Sequence, residues 1–582
     1  MAHRDRREYL TATTLDQGLL DRCQDNLDFG LEIGVDIESS IGIIRTSNIN
    51  KYIGGNFYEA LTEVPNVRRS IGDWLNPNLE FSSLSFSLSN VDGRFNSLFQ
   101  GGNDYSGWIN KSVDLKIGLR DVESTYFTVF SGFVPEVGGI QRSRDIISIN
   151  ARDRFDKYSI DFPRIVLNKN NFPDLEDNLI GVVLPVIYGD WTVSLPEKKL
   201  IPNDPSSPTS NVSIVPAFPV NSKNSGVIAG TTRLKLYISN DQLSYFDSTK
   251  VYLKRGDSYT LFNSADVTSV LQNRIFEIKL DGSGGVTLVD GSLYKYASGD
   301  LFFTQVKGID LGSYDDNIVA QAKHLLLNQA NVPSLEIDNV TWDYLRDKNT
   351  PTESAIASIK SRVWVQEQQN IINYVTSMLE QVRVELFISK ENKFTLSTVH
   401  LDEFEANPSH VIRNWDVVAD TFQPKLDDRN IWNRGQAVYA YNPADNQMIK
   451  KTSIYKNQAA IDQQGKKISK EIYYPNLYVE SDVIYQLRET IKIASAALEL
   501  IEVTLTPRSI LQELGGFVLL NINFGATIFE NVPCMIREIG YNSKGFVVPV
   551  KLWSFQMLNF TGHNPSYSGI VGGSDAIITE EI

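Results

Sequence analysis

The chain is poor in the residues that do chemistry. Its two cysteines, Cys23 and Cys534, lie more than five hundred residues apart, which leaves no disulfide framework and no metal-ligand spacing. Both read as small buried apolar side chains. The five histidines, His3, His324, His400, His410 and His563, show no HExxH or other ligand pattern, and His324 falls inside a helical pattern beside Leu325. No cofactor or metal is expected. No apolar run approaches the roughly 18–20 residues that span a bilayer, and Met1-Ala2-His3-Arg4-Asp5-Arg6-Arg7-Glu8 leads into no apolar signal core. The expectation is a chain without a membrane span, made and folded in a cytosol. Positive charge is also in deficit, with 55 Lys and Arg against 70 Asp and Glu and a net charge of −15. That balance argues against a surface that grips phosphate backbones. It is compatible with one that lets nucleic acid pass.

What is present is β-pattern. At 582 residues the chain is long enough for about three to five domains, and its first half alternates with a period of two. In Leu31–Glu38 the apolar Leu31, Ile33, Val35 and Ile37 alternate with Glu32, Gly34, Asp36 and Glu38. Leu84, Phe86 and Leu88 alternate with serines in a strand that ends at an Asp92-Gly93 turn. Val113, Leu115, Ile117 and Leu119 form a third set, and Phe127 to Asp156 reads as two strands around a polar turn, with Phe127, Val129, Ser131 and Phe133 on one face and Ile147, Ile149 and Ala151 opposite Ser148, Asn150 and Arg152. After an arm over 1–27, residues 28–160 are thus expected to form a small antiparallel barrel.

A Pro-rich connector is expected over 161–215, with Gly181–Trp191 as an apolar segment pinned against another domain, and then a β-rich insertion over 216–308. The period changes at 309–405. Ile318, Val319, Ala322, Leu325 and Leu326 make one amphipathic helix, Ile371, Ile372, Val375, Met378, Leu379 and Val382 a second, and a hairpin follows over 384–399. Strands resume in a second barrel over 406–565, with a helix at about 482–500, and 566–582 reads as a flexible Gly/Ser-rich tail. The fold class is therefore mainly β with α+β parts: two antiparallel barrels, a β-rich insertion and a small α/β domain.

Sharper motifs dissolve on inspection. Arg255-Gly256-Asp257-Ser258 contains the triplet that presents a serine nucleophile in some esterases, but a strand follows instead of a helix, so a hairpin turn is the expected role and an esterase-type hydrolase using Ser258 the weakest alternative. Asp402-Glu403-Phe404-Glu405 and Asp427-Asp428 read as solvated faces, since closeness in sequence does not set the separation that paired carboxylates need. Asp281-Gly282-Ser283-Gly284-Gly285 lacks the lysine and helix of a phosphate loop.

Taken in order, several stretches resemble the hub proteins of bacteriophage tail tips and baseplates. These are Leu88-Ser89-Asn90-Val91-Asp92-Gly93-Arg94-Phe95, Ser131-Gly132-Phe133-Val134 with Ile147-Ser148-Ile149-Asn150-Ala151-Arg152-Asp153, Val183-Leu184-Pro185-Val186-Ile187-Tyr188-Gly189, and Asn430-Ile431-Trp432-Asn433-Arg434. The resemblance implies two tail-tube-like barrels per chain and a homotrimer whose six barrels continue a sixfold tube. It implies a non-enzymatic structural protein of the virion, assembled in the host cytoplasm. Its expected partners are distal tail or tail-tube proteins, a tape-measure protein and fibre or spike proteins, and genomic DNA passes through without specific binding. Because a conduit for duplex DNA must avoid dense Lys and Arg contacts, the strands facing the axis are expected to expose more Asp and Glu than Lys and Arg, with Arg152, Asp153, Arg154, Asp92 and Arg94 at subunit contacts instead of lining the bore. The chain departs from some hubs in ending at Ile582 without a hydrolase or fibre region, and in having too few cysteines for an iron–sulfur cluster. A receptor- or carbohydrate-binding tail protein, with 216–308 as its adhesive part, is the alternative.

Overall fold

The serine-alternating strand is the clearest case of sequence becoming structure. In a computed structural model, Ser83–Ser89 buries Leu84, Phe86 and Leu88 and turns its serines outward. The structure describes residues 31–554 and 578–581, apart from 63–64, 72–78, 80, 100–104, 120–125, 194–212, 222–232, 257, 282–284, 298, 349–355, 399–409, 427–430, 496–498, 507–508, 510–511, 525–526 and 542–546. The arm over 1–27 and Cys23 lie outside the described residues, as do His3, His400, His563 and the acidic runs at 402–405 and 427–428.

The first strand set comprises β1 (Leu31–Ser39), β2 (Gly42–Ser47), β3 (Lys51–Ile53), β4 (Asn56–Ala60), β5 (Asn66–Ser70), β6 (Ser83–Ser89), β7 (Ser112–Leu119), β8 (Phe127–Phe133) and β9 (Ile146–Asp153). The second comprises β10 (His410–Arg413), β11 (Gln423–Leu426), β12 (Glu499–Leu505), β13 (Phe517–Phe524), β14 (Thr527–Tyr541) and β15 (Val548–Ser554). The two sets are not separate barrels. β5 pairs with β6 on one edge and with β14 on the other, so all of them belong to one 16-stranded sheet in the order β11-β12-β15-β14-β5-β6-β9-β8-β7-β1-β2-β4-β3. Nor is the sheet purely antiparallel, since β2–β4 and β10–β13 are parallel pairs. Each set curls back on itself through a single bridge. Thr62 bridges Leu88, and Val417 bridges Leu505.

The stretch from Phe127 to Asp156 departs from its expected form. β8 and β9 pair only at Phe133–Arg152 and Gly132–Asp153, and a short strand, Ile140–Arg142, takes the rest of that edge of β9. An irregularity opposite Leu115/Lys116 resets the alternation of β8. Such a shift turns later side chains to the other face, so Ser131 and Phe133 lie opposite the outward-facing Asp114 and Ser112 while Val129 and Phe130 are buried. Gly132 is required here, because a Cβ would lie 2.1 Å from the Arg152 carbonyl oxygen.

The α/β piece matches its pattern. Helices α1 (Ile318–His324), α2 (Asn339–Arg346) and α3 (Ile371–Glu380) pack with the hairpin of Val384–Ile388 and Phe394–Thr398. α1 and α3 are capped by Asn317 and Asn370, whose side chains accept from Ala320 N–H at 2.9 Å and Asn373 N–H at 3.1 Å. The apolar positions expected of both helices are all buried. Phe155, just after β9, meets Phe394 edge-on at 4.7 Å between ring centres. One hydrophobic core accordingly runs through both strand sets and this piece.

Two further units stand on that frame. Strands between Val215 and Lys307 form a seven-stranded sheet with its own core. The connector segment Val186–Tyr188 pairs with Val363–Val365 of the α/β piece. Between β11 and β12 the chain leaves the second strand set to make a five-stranded sheet with α4 (Glu480–Ala494). This excursion was expected as barrel, but Arg434–Asn442 pairs with Gln447–Lys451 and Ser469–Tyr474, and β11 pairs directly with β12. Ile578–Glu580, expected as loose tail, is a strand of the same sheet, and Glu581 receives Arg434 at 2.5 Å and Lys467 at 2.8 Å.

The junction between the two strand sets and the α/β piece is closed by buried ion pairs. Arg69 on β5 donates to Glu513 at 2.7 Å and to the Ile388 carbonyl at 2.6 Å. Arg537 on β14 pairs with Glu385 and stacks 3.8 Å over the Trp553 ring. Removing one partner of a buried pair costs about 3–5 kcal/mol. Arg537→Met should destabilise the full chain by about 3–5 kcal/mol, read as a lower urea midpoint, and an unchanged midpoint would place the stabilising joint elsewhere.

Candidate functional site

The outward face of the joined sheet carries an ordered array of polar side chains. Because side chains alternate along each strand, pairing in register carries one face across the whole sheet. On the second strand set Lys425 of β11 reaches Glu502 of β12 at 2.9 Å, Lys551 of β15 sits opposite Glu502 and reaches Glu538 of β14 at 3.0 Å, and Arg68 of β5 reaches Glu538 at 2.6 Å. The hydrogen bond from Lys425 holds Glu502 below the usual carboxylate range, against the opposing effect of partial burial.

Past β5 the face loses charge and becomes hydroxylic. Ser85 donates to Asn150 at 2.7 Å, Ser87 and Ser148 lie 3.3 Å apart, and the Thr62 hydroxyl donates to the Ser87 carbonyl at 2.9 Å. Charge returns beyond β8, where Ser131 donates to Asp114, Lys116 pairs with Asp36 at 2.6 Å, and Lys51 pairs with Glu32 at 3.0 Å. Cations and carboxylates alternate across this face. Lys425, Lys551, Arg68 and Lys116 on this face each reach a carboxylate of a neighbouring strand.

The residues expected at subunit contacts divide. Asp153 is 3% exposed and caps the turn after β9, accepting from Phe155 N–H at 3.0 Å. Burial pushes its carboxyl up to about 6, opposed by the Phe155 N–H and by the Arg69 and Arg154 guanidinium groups. Arg154 donates to the Asn392 carbonyl at 2.9 Å and approaches Glu336 at 3.9 Å. Both residues therefore engage the α/β piece or the core of their own chain. Arg152 pairs with Asp156 at 3.3 Å on the surface. Arg94 reaches Glu59 at 2.6 Å and Asp92 at 2.5 Å, also at the surface, and its side-chain hydrogen bond lowers the Asp92 carboxyl.

Sequence reading missed the ladder Lys425–Glu502–Lys551–Glu538–Arg68. The signal was there in the polar positions of β12 and β15, but the sequence does not show which strand lies beside which. Ser258 opens a strand whose first pair is Arg255–Ser258, with Gly256 between the two strands at φ 57°, and a strand, not a helix, follows. His324 exchanges a hydrogen bond with the Tyr188 hydroxyl at 2.8 Å, and burial lowers its pKa. Cys534 is fully buried in the core, as its type implied. No group of His, Cys, Asp and Glu among the described residues is arranged to hold a metal ion, and no described helix is long and apolar enough to cross a membrane.

No protein-family model matches the chain, and no curated protein matches it. Among solved structures it is similar to the 43 kDa tail protein of prophage MuSo2 from Shewanella oneidensis, at 8% identity and a TM-score of 0.41 over 90% of this chain and 98% of that one. It is similar to the tail protein from Neisseria meningitidis MC58, at 8% identity and a TM-score of 0.40 over 90% and 96%. A chain of the native gene transfer agent virion aligns at 10% identity and a TM-score of 0.34 over 64% and 84%. Two of these structures are tail proteins and the third is a virion particle.

The raised carboxyl of Asp153 makes a pH test of the junction. A carboxyl whose folded pKa lies above its unfolded value stabilises the fold below the unfolded pKa, near 4, and that contribution is lost as pH rises through about 6. Asparagine keeps the capping oxygen without the charge. The urea midpoint of Asp153→Asn, relative to the parent, should therefore rise between pH 4 and pH 7; a difference that is flat with pH would show that Asp153 does not titrate in this window.

Proposed function

We propose that this chain is a structural hub of a phage tail tip or baseplate, which assembles as a homotrimer and encloses a passage for DNA. The observation that carries this reading is the pairing of β5 with β14, which makes a single sheet of two curled strand sets. A chain built of two such units side by side supplies two segments of a ring wall, and three copies supply six. The balanced outward face suits a wall that duplex DNA slides past. Lys425, Lys551, Arg68 and Lys116 each sit beside a carboxylate of the same chain, so these positions form no unopposed run of cations of the kind that makes DNA binding tight and salt-dependent. The seven-stranded insertion and the five-stranded sheet stand off the wall and provide surfaces for distal tail, tape-measure and fibre or spike proteins.

Nothing in the geometry calls for catalysis, and the reading is of a non-enzymatic virion component. Light scattering on the full chain should give three times 65.4 kDa, and negative-stain images down the axis should show a threefold outline around an open centre. Duplex DNA should bind the assembly weakly at physiological salt. A monomer at all concentrations, or tight and steeply salt-dependent DNA binding, would contradict the reading.

A further inference from the structure

The β3–β4 hairpin is apolar on both of its faces. Its inner face packs on the sheet, where Ile53 and Tyr58 are buried over Gly34 of β1, and a Cβ at Gly34 would lie 2.6 Å from Ile53 Cδ1. Lys51 and Tyr58 tie the same face down, through Glu32 at 3.0 Å and Lys116 at 3.4 Å. The outer face carries the cross-strand pair Tyr52 and Phe57, 63% and 48% exposed, with ring centres 5.3 Å apart. Ile43, 54% exposed, lies opposite the outward-facing Glu38, and Ile41 in the preceding turn is 62% exposed. A hairpin ordered against its own sheet, yet presenting aromatic and branched side chains to solvent in a chain of net charge −15, is built to be covered.

We infer that the outer face of this hairpin docks on a second copy of the chain, against the end of the sheet formed by β10, β11 and the turn between them. The inference rests on the ring proposed above and assigns its contact. Within one chain the first strand set already meets the second along β5 and β14. The main path of the sheet then ends at β3 on the first set and at β11 on the second, and the branch through β13 ends at β10, which precedes β11 in the chain. Continuing the same first-set-to-second-set order from copy to copy brings these two ends together, a heterologous contact that closes into a ring when the rotation allows. The receiving end has matching character. Trp415 is 57% exposed with Arg413 stacked 5.3 Å over it, and β11 pairs on one edge only among the described residues, with Pro424 on that edge strand.

The test uses the full chain in two forms. Tyr52→Asp with Phe57→Asp should leave the thermal unfolding profile like the parent's and weaken self-association at least tenfold in sedimentation equilibrium. Separately, p-benzoylphenylalanine placed at Phe57 in a mixture of light and heavy isotope-labelled chains should give mixed-isotope cross-links to residues 413–426. If the double variant folds and keeps the parental mass, the hairpin inference falls while the ring reading stands. If the parent itself is monomeric throughout, both fall. If the double variant does not fold, the cross-link decides: mixed-isotope products at 413–426 support the contact, and products elsewhere or within one chain overturn it.

Discussion

The structure depends on one strand being shared. β5 has five residues, Asn66–Ser70, and pairs on both edges, so the first strand set and the second have no independent boundary. Arg69 points inward from it to Glu513, while Arg68 points outward to Glu538. A slip of one residue would exchange these faces, placing Arg69 in solvent and Arg68 in the core. Buried ion pairs return little net stability, because desolvation offsets most of their attraction. Here their effect is to admit one register only, and Arg537 with Glu385 and Trp553 repeats the device from the neighbouring strand.

Register decides what the sheet presents outside. The charges from Lys425 to Arg68 and the Asp114, Lys116 and Asp36 group lie on the outward face, separated by the Ser85–Asn150 and Ser87–Ser148 strip. The pairs with an exposed partner, such as Lys425–Glu502 and Arg68–Glu538, are worth about 0–1 kcal/mol each, so their consequence is electrostatic more than stabilising. They neutralise the face locally although the chain as a whole is acidic. The chain's excess of carboxylates lies outside these strands.

Local pattern was legible in the sequence where one strand or helix decides its own burial. The serine alternation of β6, the apolar stripes of α1 and α3, and the apolar segment before Gly189 all took the roles their periodicity implied. What escaped was pairing between distant segments. Nothing in Val67-Arg68-Arg69-Ser70 indicates that its second edge belongs to residues 538–541, and the strand Arg434–Asn442 has the same period as a barrel strand while pairing outside it. Asp153 was expected at a subunit contact together with Arg152 and Arg154, and in the chain it is buried. Its burial follows from the alternation of β9, which puts Ile147, Ile149, Ala151 and Asp153 on one face, and from the turn N–H group it caps.

The shared strand can be tested directly by hydrogen–deuterium exchange on the full chain. Amides flanking the seam, in Val67–Ser70 and in Glu538–Tyr541, should exchange as slowly as those of β6 and β15 in the two adjoining strand sets, since opening β5 requires separating both sets at once. Fast exchange along 67–70 and 538–541, with β6 and β15 still protected, would show two units that touch without being joined, and would contradict the account of a single continuous wall.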